Sequence, residues 1–312
     1  NNTKKRTFAT PKTKAFPMPI HNYSINKFLP LLCLILLLAS CREEVENEFD
    51  DFPAAPVVNS ILIAGEPIRV HLSLTTKINS TDFHLIDNAR VLLYVDNTFA
   101  EELTYQEEGI YEAMTLAEPQ KEYACQIITP DFDTIFCQNR IPATQSILDL
   151  KFIPVAGLDE EGLPHPGIEL TFENDPSQNL YYEVALRHFQ YGEEQYVNIL
   201  PNNDPIIVRE GVNIPIFSNE GITGDSYKLH LNFMTSGYSS SVSEQKLVVE
   251  LRSVNYAYYQ YVKTRKLYEQ GYYSSALESF PPMSLYSNVR NGYGIFAGYT
   301  FVQSDTIYFL SN

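Results

Sequence analysis

IRVHLSLTT, Ile68 to Thr76, alternates apolar and polar residues up to its closing pair of threonines. Ile68, Val70, Leu72 and Leu74 fall on one side of an extended chain, and Arg69, His71, Ser73 and Thr75 on the other. A repeat of two residues gives a strand with one buried face, because successive side chains point to opposite sides of a pleated sheet.

The same texture continues in both directions. Upstream, VVNSILIAG (57–65) runs into Gly65-Glu66-Pro67. Downstream come ARVLLYVDN (89–97) with an Asp-Asn turn, then EELTYQEE (101–108), GIYEAMTL (109–116) and YACQIITPDFDTIFCQ (123–138). About seven short strands at close spacing, with no amphipathic helix among them, predict a β-sandwich. This unit covers 57–143 and closes at Ile141-Pro142.

A second β-rich unit covers 144–312. LDLKFIPV (148–155) is a strand, and GLDEEGLPHPG (157–167) a polar loop. GIELTFEND and NLYYEVALRHFQ are strands joined at Asp175-Pro176. Residues 191–226 are rich in loops, with short strands at YVNIL and VNIPIF. SYKLHLNFMTS places Tyr227, Leu229, Leu231 and Phe233 on one face. KLVVELRSVNYAYYQYVKTRKLYEQ (246–270) starts as a strand and then changes period. Leu251, Val254, Tyr258, Tyr261, Val262 and Tyr268 recur at helical spacing, which predicts a helix over about 251–270 that stops at Gly271. Two strands follow a glycine-rich turn near the end. The expected fold is therefore mostly β: two immunoglobulin-like β-sandwich domains, the second carrying a C-terminal helical insertion.

Ahead of these units lies LLCLILLLASCREEVENEFDD (31–51). Its apolar run, 28–39, falls short of the roughly 20 residues that span a bilayer. Lys4, Lys5, Arg6, Lys12, Lys14 and Lys27 precede it, and no acidic residue occurs before Glu43. A basic start, a short apolar run and a small-residue exit describe an export signal over 1–40. Leu38-Ala39-Ser40-Cys41 resembles the bacterial lipobox, in which the cysteine thiol takes a diacylglycerol before cleavage on its amino side. Cys41 is thus the expected lipidation site. Several acyl chains, of the palmitate type, make such an attachment to the bilayer effectively permanent. Residues 41–56, acidic and then rich in Pro and Ala, form a solvated tether.

The formal charge is −16; losing 1–40 removes six basic side chains and no acidic ones, giving −22. So acidic a surface repels phosphate backbones, which excludes nucleic acid as a partner.

Four cysteines are present. Cys33 leaves with the signal and Cys41 takes lipid. A hairpin centred on Asp131 puts Cys125 opposite Cys137 and Ile127 opposite Ile135, close enough for a cross-strand disulfide. An exported protein meets conditions that allow the bridge, and two half-buried free thiols are the alternative.

No catalytic or cofactor pattern emerges. The histidines, 21, 71, 84, 165, 188 and 230, form no metal-ligand spacing. There is no G-x-S-x-G elbow. Asn291-Gly292-Tyr293-Gly294 lacks the helix that a dinucleotide loop needs, so its glycines serve a tight turn. Asp159-Glu160-Glu161 and Asp131/Asp133 lack EF-hand spacing and read as solvated loops. The tyrosines at 256, 258, 259, 261, 268, 272 and 273 divide between core packing and a rim able to stack on a ligand.

Several landmarks together resemble a known family. These are the Cys-then-acidic start, FENDPSQNLYY (Phe172–Tyr182), and SNVRNGYGIF (Ser287–Phe296). They resemble the Bacteroidota outer-membrane lipoproteins catalogued as domain of unknown function 4249. The resemblance covers nearly all of 41–312. It implies an outer-membrane, lipid-anchored location and an accessory role beside a TonB-dependent transporter, and it brings no known catalytic residues. The acids after Cys41 resemble a surface-export signal, though Arg42 departs from its usual opening. Asp133-Thr134-Ile135 and Asp305-Thr306-Ile307 resemble a short O-glycosylation acceptor pattern. The expectation is a cell-envelope binding or accessory module that is not an enzyme and has no cofactor. The rival readings are a stand-alone glycan- or ligand-binding surface lipoprotein and a structural envelope component.

Overall fold

The computed structural model describes residues 53–77, 83–159, 161–201, 204–235, 244–273 and 284–310. The signal 1–40, Cys41 and the tether through Phe52 lie outside the described residues, as does Glu160.

The opening alternation is a strand. β1 (Pro56–Ile63) and β2 (Pro67–Leu74) pair antiparallel, with Val58 opposite Leu72. Ile68, Val70 and Leu72 are buried. Beyond β2 the same sheet adds β6 (Ile110–Leu116) and the short β5 (Thr104–Tyr105). Facing it is a four-stranded sheet in the order β4-β3-β7-β8, built from β3 (Arg90–Val95), β4 (Thr98–Glu102), β7 (Glu122–Ile128) and β8 (Ile135–Arg140). The β3–β4 turn holds Asp96 and Asn97 at positive φ (47° and 64°), the left-handed pair that tight hairpins favour and Asp and Asn tolerate. Val58, Leu62, Val70 and Leu72 meet Val91, Leu93, Tyr123 and Ile127 in one core. Each such buried side chain contributes about 1.5–3 kcal/mol of transfer free energy.

A second core lies further along the chain. β9 (Ile147–Leu158), β10 (Pro164–Glu173), β13 (Val197–Ile199) and β15 (Ser226–Thr235) form a sheet in the order β13-β15-β10-β9. Its Ile168, Leu170, Phe172, Leu229, Leu231 and Phe233 pack on Tyr182, Val184, Leu247, Val249 and Leu251. Those residues come from β11 (Tyr181–Gln190) and β16 (Glu244–Val254). The face expected for Tyr227, Leu229, Leu231 and Phe233 is the face seen.

The last long strand, β17 (Tyr293–Gln303), joins the two cores. It pairs antiparallel with β16 and parallel with β1, Val57 lying beside Tyr293 and Ile63 beside Tyr299. One sheet therefore runs β12-β11-β16-β17-β1-β2-β6-β5, with β12 (Glu193–Gln195) at its edge, β14 (Ile216–Ser218) on β11 and β18 (Ile307–Leu310) on β16. The chain is mostly β in open, layered sheets. The two cores share one sheet. Phe296 of β17 belongs to the first core despite its place near the end of the chain. Its neighbours Ile295, Ala297 and Tyr299 face the other way. Burial on both faces explains why YGIFAGYTF reads as a continuous apolar run rather than an alternation.

The helix α2 spans Tyr256–Tyr273, after the short α1 (Pro205–Glu210). The expected start at 251 is wrong. Leu251 to Val254 pair with β11 on one side and β17 on the other, and this double ladder outweighs their helical spacing. The helix begins after Asn255, whose side-chain oxygen accepts from the Tyr258 N–H at 3.0 Å. It also continues through Gly271 rather than stopping there. α1 is absent from the sequence reading, although Asp204-Pro205 and Gly211 are its cap, first residue and left-handed stop.

Candidate functional site

The segment FENDPSQNLYY forms a braced turn. Asp175 accepts from the Ser177 N–H at 2.9 Å and hydroxyl at 2.6 Å, and from Gln178 Nε2 at 2.5 Å. These bonds hold its carboxyl below the usual range, the Ser177 hydroxyl contributing most. Beneath the turn, buried Asn219 donates Nδ2 to Asn174 Oδ1 (2.9 Å) and to the carbonyls of Asp175 (3.1 Å) and Gln178 (3.0 Å). Its Oδ1 accepts from the Leu180 N–H at 3.0 Å. One amide thus satisfies four backbone or side-chain groups and fixes where β11 starts.

That start carries Tyr181 toward α2. The Tyr181 ring lies 4.8 Å from Tyr259 and 5.5 Å from Tyr256, between centroids, and Tyr256 meets Tyr286 edge-on at 6.2 Å. Tyr258 and Tyr259 are buried, whereas Tyr256 is 50 % exposed. Tyr181 and Tyr256 form a ridge between two clefts. One, of about 250 Å³, is walled by Asn179, Glu220 and Gln260. The other, of about 270 Å³, is walled by Arg140, Gln145 and Ser253. Together they form an aromatic trough at the amino end of α2.

Two ionic networks hold the helix in place. Glu210, at the end of α1, accepts from Lys263 Nζ (2.6 Å), the Tyr259 hydroxyl and the Ser218 N–H (2.9 Å). Burial pushes the Glu210 carboxyl up, but bonds from Lys263, Tyr259 and Ser218 outweigh it and hold it below the usual range. Lys263 is lowered by burial and raised more strongly by Glu210 and Tyr259, ending above its ordinary value. In the second network, Arg252 bonds Glu183 (2.8 Å) and Glu250 (2.5 Å), and the Tyr258 hydroxyl donates to Glu183 at 2.8 Å. Burial raises the Tyr258 hydroxyl strongly, so it stays protonated and donates.

The trough is suited to holding a ligand by stacking and amide hydrogen bonds. Glu210 and Glu183, which line neither cleft, are engaged in the networks that hold the helix. Among the described residues, no three His, Cys, Asp or Glu lie together in a way that could hold a metal ion.

The expected site residues fall elsewhere. Cys41 lies outside the described residues. Cys125 and Cys137 face each other across β7–β8, as expected from the hairpin, but at 2 % and 4 % exposure they are fully buried rather than half-buried. Both are free thiols in this structure. Asp159 accepts from the N–H groups of Glu161 and Leu163, so it caps its own turn. His188 is buried in β11 with one ring nitrogen 2.7 Å from Gln245 Oε1; nothing in the spacing of the histidines signals this.

The sequence reading also missed the latching asparagines. Asn288 holds Phe296 through its N–H (2.9 Å) and carbonyl (2.8 Å), and Asn139 donates to the same carbonyl at 3.0 Å. The available signal was that Asn288 lies in SNVRNGYGIF, and Asn174 and Asn179 in FENDPSQNLYY. Both stretches therefore owe much of their pattern to structure, and the trough opens where the first meets α2.

A search of curated proteins finds no match. The model of one family matches residues 42–305, which takes in both cores, β17 and the trough. The chain belongs to the family described as domain of unknown function DUF4249.

Proposed function

We propose that this chain is an outer-membrane lipoprotein, anchored through Cys41, that acts as a non-enzymatic binding or accessory module beside a TonB-dependent transporter. The lipobox-like Leu38–Cys41 and the acidic tether support the anchoring. The two cores support reading the folded part as two immunoglobulin-like sandwiches fused through β17. The observation that carries the binding role is the trough. Tyr256 is half exposed on a rigid helix end, beside Asn179 and Gln260, whose side-chain amides have no bond within the described structure. A large aromatic held rigid on a pre-formed surface is the usual anchor of a binding site. The test is crosslinking in growing cells with the full-length chain, comparing the native protein with Tyr256→Ala. Loss of a specific envelope partner in the variant supports the reading; an unchanged crosslink pattern overturns it.

A stand-alone glycan-binding role is favoured by one further feature. Each cleft flanking the tyrosine ridge is large enough for about one sugar ring, and aromatic faces with neighbouring amides suit such rings. A glycan array using the same two proteins separates this from the accessory role.

A further inference from the structure

A third cleft, of about 400 Å³, lies on the outer face of the β3–β7–β8 sheet, where residues 288–290 cross β8. Its floor is aromatic, formed by Tyr94 and Phe136. Arg290 stands at its rim, exposed, with its guanidinium over the Phe136 ring at 4.5 Å. The position is fixed by the backbone: Phe136 N–H donates to the Arg290 carbonyl at 3.1 Å, and Arg290 N–H to the Phe136 carbonyl at 2.9 Å.

Arg290 is the exception among the described arginines. Arg69, Arg90, Arg187, Arg209, Arg252 and Arg265 each meet a carboxylate. Arg140 donates to the Gln120 carbonyl. Arg290 has only the ring, and no carboxylate lines the cleft, although the chain carries 38 acidic residues. A guanidinium stacked on an aromatic face keeps its in-plane N–H groups free, in the fork that matches two oxygens of an anion. Neutral donors lie nearby. The Tyr94 hydroxyl donates to Gln126 Oε1 at 3.3 Å, which leaves Gln126 Nε2 for a ligand, and Gln138 adds a second exposed amide.

We propose that this cleft binds a small organic anion, its carboxylate or phosphate on Arg290 and its flat apolar body on Phe136 and Tyr94. The overall negative charge of the protein repels anions at long range, so recognition here is short-range and depends on the guanidinium. The site is independent of the tyrosine trough.

The test titrates the full chain with benzoate, phenyl phosphate, benzyl alcohol and inorganic phosphate, followed by calorimetry. Benzoate or phenyl phosphate should bind, and benzyl alcohol should not. Arg290→Gln should weaken the anion by about tenfold or more, the scale of a charge-assisted bond. Should that variant fail to fold, Gln138→Glu, which places a carboxylate in the cleft on an exposed residue, should weaken it comparably. Equal binding of benzyl alcohol, unchanged affinity in a folded variant, or no binding by either aromatic anion overturns the proposal. Binding of inorganic phosphate as tight as phenyl phosphate overturns the role given to the aromatic floor.

Discussion

A first side-chain carbon on Gly294 would lie 2.0 Å from the Val58 carbonyl oxygen. Gly294 also has φ of +108°, so both space and backbone demand glycine where β17 first lies against β1. Gly294→Ala should cost about 3–4 kcal/mol, through clash and strain together. Gly65 is the control, with φ of +91° and nothing within 4 Å of such a carbon. Gly65→Ala should cost about 1 kcal/mol, from strain alone. Denaturant midpoints of the two variants decide the point: equal losses would show that the β1 contact is not tight.

The thiols of Cys125 and Cys137 are placed to join. Each is buried opposite the other, and the neighbouring Cys137 thiol together with burial raises the Cys125 thiol well above its ordinary value, so Cys125 should not react while the fold is closed. In protein taken from an oxidising compartment we expect a bridge, adding about 2–3 kcal/mol for a loop of this size. Thiol labelling of denatured, unreduced protein measures it directly. Two labelled cysteines would exclude the bridge.

Glu210 and Lys263 set a pH window. The folded carboxyl titrates below its ordinary 4.5, so its contribution is present above that value and is lost as pH falls through the folded value. The lysine titrates above its ordinary 10.5, so its contribution is present below that value and is lost as pH rises through the folded value. Between them the pair should give a plateau. Lys263→Met leaves Glu210 with less compensation and should cost about 1–3 kcal/mol near neutrality. Stability against pH for the two proteins should converge in acid, where Glu210 is protonated in both.

Tyr256 and Tyr258 sit two residues apart with opposite duties. Tyr256→Ala should cost less than about 1 kcal/mol, as is usual for a half-exposed side chain. Tyr258→Phe removes the donor to Glu183 and should cost about 1–2 kcal/mol without touching the trough. Thermal midpoints paired with partner crosslinking test this: Tyr256→Ala should lose the partner and keep its midpoint, whereas Tyr258→Phe should lower the midpoint and keep the partner.

Local pattern made much of this molecule legible. Ile68 to Leu74, the Cys125–Cys137 register and the Tyr227–Phe233 face follow from period two alone, because each depends on one neighbour and one buried side. What failed depended on distant partners. Leu251 and Val254 carry helical spacing, yet strands on both sides hold them extended. Phe296 lies in a segment buried on both faces, which gives no alternation and so no hint that it crosses into the first core. The trough was half legible. Tyr256, Tyr258 and Tyr259 were named from their density, but Tyr181 was not, and the division into ridge and core needed Asn219 and Glu210, which come from other parts of the chain.

β17 also dictates an order of events. Val57 and Tyr293 are partners far apart in the sequence, so β1 lacks its parallel neighbour until β17 has been made. Synthesis from the amino end therefore leaves that edge of β1 open while everything between the two strands is made. Such an edge invites wrong pairing, and contacts this far apart close slowly. The first half is then a client in waiting rather than an early-folding domain. Loss of β17 should leave the whole protein, and not only the strands beside it, open to proteolysis.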